Sequence, residues 1–364
     1  MSAYSRLIRP YLFQKDAEWA HDSSIRLCHS MGWASGILAP FFSFRDPCLE
    51  TDVCGLHFLN PLGLAAGYDK SGKAVRLLSA LGFGHLEIGS VSAEASDGNP
   101  KPRLWRLPED QATVVHYGLP NDGADVIAKR LAAINLPIPL GINLVRTNTG
   151  LHAACPTDSD IIADYVRSAQ RLKESADYLT LNLSCPNTET GRDFFAEKDH
   201  LVRCLQALSK LDIGCPVFLK ISPLGGIAAI ENVLEAVAGF GFVSGFIFNL
   251  SPVKPDGLKT SPQVWHHLPG AVSGPPCEAL MNDCIREMYH RMDRKRFVII
   301  GAGGVGTAAQ AYEKIRLGSS LVQLFTALIY QGPTVVKQIN RGLAGLLHQD
   351  GFKTVAEAVG SANQ

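Results

Sequence analysis

Polar residues that could bind a small molecule interrupt or follow several apolar runs of the sequence. Two lysines and four asparagines hold such positions: Lys70, Lys220, Asn143, Asn182, Asn187 and Asn249. Because a buried lysine without a partner is unfavourable, lysines in such runs indicate a bound group. Amide side chains offer donors and acceptors together, which suits a flat heterocycle. The alternative is a set of solvated loop residues.

Cys185 is the best candidate in the sequence for an acid/base or a nucleophile. It lies between Asn182 and Asn187, directly after an apolar run. Most cysteines are inert buried thiols, and that interpretation stays open here. Neither a GxSxG motif nor an HExxH motif is present, so no hydrolase triad or zinc protease is indicated.

A glycine-rich segment predicts a phosphate site. Gly301–Gly304 follows an apolar run, and a helix is predicted to begin near Thr307. Backbone N–H groups at such a turn and at a helix N-terminus can bind a phosphate. The alternative is a tight turn that needs glycine.

The elements that must position these residues form a repeated strand–helix pattern. Eight apolar runs show little alternation, as expected of strands buried on both faces. The runs are Leu62–Tyr68, Gly84–Ser92, Pro139–Val145, Tyr178–Ser184, Val217–Ser222, Gly245–Ser251, Phe297–Gly303 and Leu321–Leu328. Helical patterns between them include Asp160–Glu174, Lys198–Leu211, Ala228–Ala238 and Thr307–Leu317. Eight such units predict an α/β fold, a closed (β/α)₈ TIM barrel. The site of such a barrel lies at the C-terminal ends of its strands, and phosphate often binds after strands seven and eight. A doubly wound sheet is the alternative, but it should bring an early dinucleotide fingerprint.

The segment before the first run predicts an N-terminal helical extension. Residues 1–47 read as two short amphipathic helices, and residues 48–364 as the barrel. The helices either cap the barrel or dip into a membrane surface. The uncharged stretch 236–253 has the length of a short span, but its glycines favour a helix end, a turn and a buried strand.

Composition narrows the class of protein. Of 364 residues, 46% are hydrophobic, which supports a large core but not a multi-span membrane protein. Lys+Arg and Asp+Glu both number 34, so a nucleic-acid partner is not expected. The nine cysteines are scattered without metal-ligand spacing, so no metal site is predicted. Their number and spacing predict free thiols in a reducing compartment. No secretory signal is visible.

At these residues the sequence resembles the dihydroorotate dehydrogenases over nearly its whole length. The segments that carry the resemblance are Leu64–Lys70, Glu87–Val91, Pro102–Asp110, Asn182–Thr188 and Leu321–Leu328. The resemblance implies an FMN-dependent oxidoreductase acting on CH–CH groups, with dihydroorotate oxidised to orotate in pyrimidine biosynthesis.

The resemblance also assigns site residues. Those matching FMN-binding positions are Ala66, Gly67, Tyr68, Asp69, Lys70, Ser90, Asn143, Asn182, Lys220, Asn249, Gly274, Gly304, Phe325 and Thr326. Those matching substrate positions are Lys70, His116, Tyr117, Gly118, Leu119, Asn182, Asn187 and Ser251. Cys185 matches the base that removes a proton while hydride leaves the neighbouring carbon for flavin N5. Lys70 and Lys220 complete the implied catalytic set, with Lys220 stabilising negative charge on the reduced ring.

The resemblance is closest to the membrane-associated, quinone-linked class, whose helical N-terminal extension forms a quinone tunnel. His21 and Arg106 match tunnel residues. This implies quinone as acceptor, a membrane surface as partner through the N-terminal helices, and a peripheral membrane location.

The sequence departs from the expected pattern at several positions, including the turn Gly118–Asn121, which resembles the soluble class. Cys185 stands where the quinone-linked class has serine; a thiol has the lower pKa, so base work needs less activation. Val115 and Leu250 stand where substrate-binding asparagines are expected, with Asn249 one place before Leu250. Despite these departures, the leading function is dihydroorotate oxidation with quinone. A related flavin oxidoreductase or ene-reductase for another small carbonyl compound is the alternative, and a non-catalytic barrel is the third.

Overall fold

Eight parallel strands close into a barrel in the computed structural model, which describes residues 4–150, 156–184 and 194–363. The strands are Leu62–Leu64, His85–Val91, Leu140–Leu144, Tyr178–Asn182, Val217–Ile221, Val243–Phe248, Val298–Gly301 and Ser319–Leu324. Each pairs with the next along the chain, and the eighth pairs with the first, Val322 opposite Leu62. The predicted TIM barrel is confirmed, and the doubly wound sheet is excluded.

Helices surround the barrel and bury one face against it. Those between the strands are Val75–Leu78, Ala124–Leu131, Asp158–Leu172, Lys198–Leu208, Gly226–Val237, Pro262–Trp265, Glu278–Arg291 and Ala308–Arg316. After the eighth strand come Thr326–Gln331, Val335–Gln349 and Val355–Ala358. In the helix Asp158–Leu172 the buried residues include Ile161, Tyr165 and Leu172, at the spacing of one helical face.

Two predicted boundaries need correction. The run Leu321–Leu328 is not one strand, because the strand ends at Leu324 and a helix begins at Thr326. The first run, predicted to reach Tyr68, is a strand only over Leu62–Leu64. In both places the apolar pattern continues beyond the strand because the residues that follow are also buried. The stretch 236–253 holds a helix end and a strand, as predicted.

Two small sheets accompany the barrel. A hairpin of Thr51–Val53 and Leu56–Phe58 packs Val53 and Phe58 against interior residues such as Tyr178. A three-stranded antiparallel sheet joins Leu104–Leu107, Ala112–Val115 and Ala271–Ser273. Residues of this second sheet line the cavity described below, so it forms part of the site's wall.

The N-terminal extension contains more helix than predicted. Its two longest helices are Ala17–Ser30 and Ser35–Phe42, preceded by a π-helix, Tyr4–Ile8, and a short α-helix, Arg9–Phe13. None of the described helices is both long and apolar enough to cross a membrane.

Contacts with two distant parts of the barrel domain hold this extension in place. Glu18 pairs with Arg103 of the barrel at 2.8 Å, and both side chains are buried. From the C-terminal side, the Ile329 carbonyl accepts a hydrogen bond from the Tyr4 hydroxyl at 2.7 Å. Lys337 Nζ donates to the Phe41 carbonyl at 3.0 Å. The extension is therefore fastened to elements that lie far apart in sequence.

Candidate active site

A large cavity opens at the C-terminal ends of the barrel strands. Its empty space measures about 1520 Å³, part of it open to solvent. Eleven of the predicted FMN-binding residues line it: Ala66, Gly67, Lys70, Ser90, Asn182, Lys220, Asn249, Gly274, Gly304, Phe325 and Thr326. The structure thus brings together residues from seven strands or strand ends, as the barrel geometry requires.

Below the cavity, hydrogen bonds link its polar residues to the barrel interior. Ser90 Oγ donates to Asn143 Oδ1 at 2.5 Å, and Asn143 Nδ2 donates to Glu87 at 2.9 Å. Lys220 Nζ lies 3.9 Å from the Glu87 carboxylate, and both are buried. Asn143, predicted to touch the cofactor, does not line the cavity but holds Ser90, which does.

The two asparagines that line the cavity bind each other. Asn249 Nδ2 donates to Asn182 Oδ1 at 2.9 Å and to the Ser184 carbonyl at 3.0 Å. Asn182 Nδ2 donates to Ser90 Oγ at 3.0 Å. Asn249 Oδ1 accepts from the Leu250 amide at 2.9 Å. A ligand must therefore share or replace these partners in order to use either amide.

The glycine-rich turn has the geometry of a phosphate cradle. Gly303 and Gly304 have φ values of +85° and +81°, which side chains rarely adopt. A Cβ on Gly304 would lie 2.6 Å from Glu278 Cβ. The turn lines the cavity and leads into the helix Ala308–Arg316, whose cap Thr307 accepts from the Gln310 amide. Its backbone N–H groups and helix N-terminus fit an anionic phosphate.

Lys70 links this cavity to a second one beside the N-terminal helix Ala17–Ser30. Its ammonium lies 3.1 Å from His21 Nε2 and 3.8 Å from the centre of the Tyr117 ring. Burial lowers the pKa of Lys70 to about 8, although the charge of Asp22 acts in the opposite direction. Burial, together with the charge of Lys70, holds the pKa of His21 well below its ordinary value. Lys70 is therefore a cation that loses its proton in mildly alkaline solution.

Other predicted cofactor residues support the site without lining this cavity. The Asp69 carboxylate accepts the backbone N–H groups of Ser71, Lys73 and Ala74, so it caps the turn after the first strand. Tyr68 packs edge-to-face on Phe325, with ring centres 5.6 Å apart.

Only some of the predicted substrate residues line the cavity. Tyr117 and Leu119 line the cavity, whereas His116, Gly118 and Ser251 do not. The Ser251 hydroxyl accepts from the Val253 amide. Cys185 and Asn187 lie outside the described residues, so their predicted roles as base and substrate ligand stay predictions.

The two residues predicted for quinone contact different groups. His21 contacts Lys70, as described above. Arg106 packs over the Phe13 ring at 4.7 Å and donates to the Lys15 carbonyl at 2.9 Å. Burial lowers the pKa of Arg106, and Tyr330, which lines the cavity, is among the groups whose charge opposes that shift.

Both residues that replace expected asparagines face the cavity. Val115 and Leu250 line it together with Leu119 and Phe248. This part of the wall is therefore apolar among the described residues.

Sequence reasoning missed several residues of the site. Gln111, Met281, Gln310 and Gln331 also line the cavity, and nothing in their local sequence marks them. Glu87 is different, because a glutamate inside an apolar strand is a signal that could have drawn attention to it.

Comparison with known proteins identifies the family. The profile described as "Dihydroorotate dehydrogenase" matches residues 48–347. The chain belongs to the dihydroorotate dehydrogenase family. Members of this family are flavoprotein oxidoreductases that act on CH–CH groups.

Relatives within the dihydroorotate dehydrogenase family match nearly the whole chain. "Dihydroorotate dehydrogenase (quinone)" of Natronomonas pharaonis is 39% identical over 357 residues, covering 98% of each chain. The protein of the same name from Mycolicibacterium smegmatis is 38% identical over 360 residues, covering 98% of this chain and 99% of its own. The predicted family and its quinone-linked class agree with these names.

Solved structures show the same fold. The ligand-free crystal structure of DHODH from Eimeria tenella superposes with a TM-score of 0.80 at 28% identity, covering 93% of this chain and 99% of that one. The complex of the Eimeria tenella enzyme with ferulenol also gives a TM-score of 0.80, covering 96% of each chain.

Proposed function

We propose that this chain binds FMN and oxidises dihydroorotate to orotate, passing the electrons to a quinone. The observation that carries the proposal is the single cavity that joins Lys220, Ser90 and Asn182 to the Gly303–Gly304 turn. A flat polar heterocycle with a phosphate tail fits such a cavity, because amides and a cation meet the ring and the glycine turn meets the phosphate. The names of the relatives support the reaction.

In this proposal FMN supplies the hydride acceptor of the reaction. Gly304 and its neighbours hold the phosphate, while Ser90, Asn182 and Lys220 bind the ring edges. The Lys220 cation favours negative charge on the reduced ring. Asn143 orients Ser90 from below.

Cys185 removes a proton from the substrate carbon next to a carbonyl, and the neighbouring carbon loses hydride. Lys70 binds the substrate carboxylate. The substrate thus loses two electrons and two hydrogens, and the quinone gains the equivalent as quinol. His21, in contact with Lys70, and Arg106 belong to the acceptor side.

The N-terminal extension is proposed to lie on a membrane surface as a peripheral anchor. Its exposed apolar residues are Leu7, Ile8, Tyr11, Trp19, Leu27, Trp33, Ile37 and Phe41. Exposed apolar residues concentrated in one segment of a folded protein indicate an interaction surface, and amphipathic helices of this kind bury such faces in lipid. A lipid-soluble quinone reaches the protein from the same side.

A second candidate is a flavin oxidoreductase for a less polar carbonyl compound. Val115 and Leu250 make the wall facing the substrate apolar, and Asn182 and Asn249 are engaged with each other. Each polar edge of dihydroorotate left unpaired would cost about 1–3 kcal/mol.

Anaerobic flavin bleaching decides between the two candidates. The purified, FMN-loaded protein is mixed with dihydroorotate, dihydrouracil or a panel of saturated carbonyl compounds, and the loss of yellow absorbance is followed. Rapid bleaching by dihydroorotate alone supports the first candidate. Bleaching only by another compound supports the second. A colourless protein that ignores added FMN would overturn both.

A further inference from the structure

A buried glutamate lies inside the barrel below the proposed flavin site. Glu87 is 1% exposed and does not line the cavity. Besides Asn143, three side chains donate to its carboxylate: Gln323 Nε2 at 2.9 Å, Thr180 Oγ1 at 3.2 Å and Tyr178 OH at 3.3 Å. Together with Asn143, these donors come from the third, fourth and eighth strands. The carboxylate is thus fixed across the barrel by neutral donors, which suits its ionised, acceptor-only form.

Two contacts connect this carboxylate to the cavity. Lys220 Nζ lies 3.9 Å from Glu87 Oε1, and Lys220 lines the cavity. The second contact runs from Glu87 through Asn143 to Ser90, which also lines the cavity. Lys220 is 8% exposed, and Glu87 is its ion-pair partner among the described residues. With so little water present, each charge of the pair acts strongly on the other.

We propose that Glu87 is a positioning residue that pairs with Lys220 and fixes Asn143 beneath the flavin, and that its charge holds the reduction potential of the bound flavin below the value an unpaired Lys220 would give. The inference rests on the proposed flavin site. Reduction adds negative charge to the ring, which a nearby cation favours. A carboxylate beside that cation cancels part of its field, so the pair is close to neutral where Lys220 alone would carry a full positive charge.

A purely structural role for Glu87 predicts a different result. In that case the carboxylate would only fill the barrel interior with a polar layer. Substitution would then change the stability of the protein but leave the potential of the bound flavin where it was.

The Glu87→Gln variant separates these two roles. It keeps the size of the side chain and removes the charge. We expect the midpoint potential of bound FMN, measured by spectroelectrochemistry at pH 6, to become more positive. Equivalently, the ratio of the dissociation constants of oxidised and reduced FMN should rise by about fivefold or more.

Thr180→Val is the matched control, because it removes one neutral hydrogen bond to the same carboxylate. It should leave the potential unchanged. An unchanged potential in Glu87→Gln, or an equal shift in Thr180→Val, would overturn the proposal.

A second pair of variants tests the proposal in case Glu87→Gln folds poorly. The double variant Glu87→Gln/Lys220→Met leaves neither charge unpaired in the barrel. We expect its flavin to have a more positive potential than that of Lys220→Met alone; equal potentials would refute the role of the Glu87 charge. Wild-type protein that binds no FMN would instead contradict the proposed function, so the two failures are distinguishable.

Discussion

At the scale of single residues, polar side chains of the site already form hydrogen bonds with other groups of the protein. Asn182 and Asn249 were found from the sequence because both follow apolar runs. Their hydrogen bond to each other was not predictable, because it joins residues 67 positions apart on different strands. The role of Asp69 was unpredictable for a similar reason: only the backbone shows that its carboxylate is used in capping.

Lys70 should give substrate binding a pH dependence. Its pKa of about 8 means that it is a cation below that pH and neutral above it. We expect the affinity for orotate, measured from the perturbation of the flavin spectrum, to fall as the pH rises through about 8. A Lys70→Met variant should bind orotate weakly at every pH. Constant affinity of the wild type from pH 6.5 to pH 9.5 (roughly the range over which such a lysine titrates) would rule out this role.

Cys185 gives a second prediction at this scale. Cys185→Ala should abolish flavin reduction by substrate while FMN stays bound, because the proposed base is lost and the proposed cofactor contacts are not. Cys185→Ser should keep part of the activity with a higher pH optimum, since a hydroxyl has a higher pKa than a thiol. Stopped-flow reduction measures both. A normal rate of flavin reduction in Cys185→Ala would show that this cysteine is only a packing residue.

At the scale of elements, the N-terminal helix Ala17–Ser30 is joined to the barrel by a buried ion pair. Burial alone would raise the pKa of Glu18, but the hydrogen bond from Arg103 and the charge of Lys101 hold it below its ordinary value. The pair is therefore fully stabilising above pH 4.5, the ordinary pKa of the group, and its contribution is lost as the pH falls through the lowered pKa.

Breaking this pair should destabilise the protein. Glu18→Ala leaves the Arg103 cation buried, and such losses cost about 3–5 kcal/mol. Urea unfolding at pH 7 should show a free energy of unfolding lower by about this amount. The exposed carboxylate Glu50 is the control, and Glu50→Ala should change the free energy by less than about 0.5 kcal/mol. Similar effects of the two substitutions would show that the pair does not hold the helix.

The apolar surface of the extension leads to a separate prediction. Trp33 and Phe41 are 79% and 68% exposed. The double variant Trp33→Ser/Phe41→Ser should bind phospholipid vesicles less well and reduce a membrane-bound quinone more slowly, because apolar area no longer enters the lipid. Turnover with a water-soluble dye should not change. Val126→Ser is the control, since Val126 is 48% exposed on the barrel helix Ala124–Leu131. Equal vesicle binding by all three proteins would leave the extension as a cap on the barrel.

At the scale of the whole molecule, the barrel was predictable and its additional sheets were not. Strands buried on both faces are continuous apolar runs, so all eight could be located in the sequence. The hairpin Thr51–Phe58 has strands of three residues, too short to show a period. The strand Ala271–Ser273 joins a sheet with residues more than 150 positions earlier, which no local pattern reports. The hydrogen bonds to Glu87 were equally unpredictable, because its donors come together only when the barrel closes.

Cofactor binding should stabilise the whole fold. The cavity is lined by strand ends from around the barrel, so FMN contacts the folded state and not the unfolded chain. A ligand present at 100 times its dissociation constant adds about 2.7 kcal/mol. We expect FMN to raise the melting temperature and riboflavin, which lacks the phosphate, to raise it less. Equal shifts with both ligands would argue against a phosphate site at Gly303–Gly304.

The bonds that fasten the N-terminal extension also set an order for its assembly on the ribosome. The Tyr4 and Arg9 side chains bond to the carbonyls of Ile329 and Tyr330, more than 320 positions later. At typical synthesis rates of 5–20 residues per second, these partners emerge roughly 15–60 s after the extension does. During that interval the Tyr4 and Arg9 side chains lack these two carbonyl partners. The first residues that the ribosome makes are therefore among the last to reach their folded contacts, which they do only after the eighth strand of the barrel has been made.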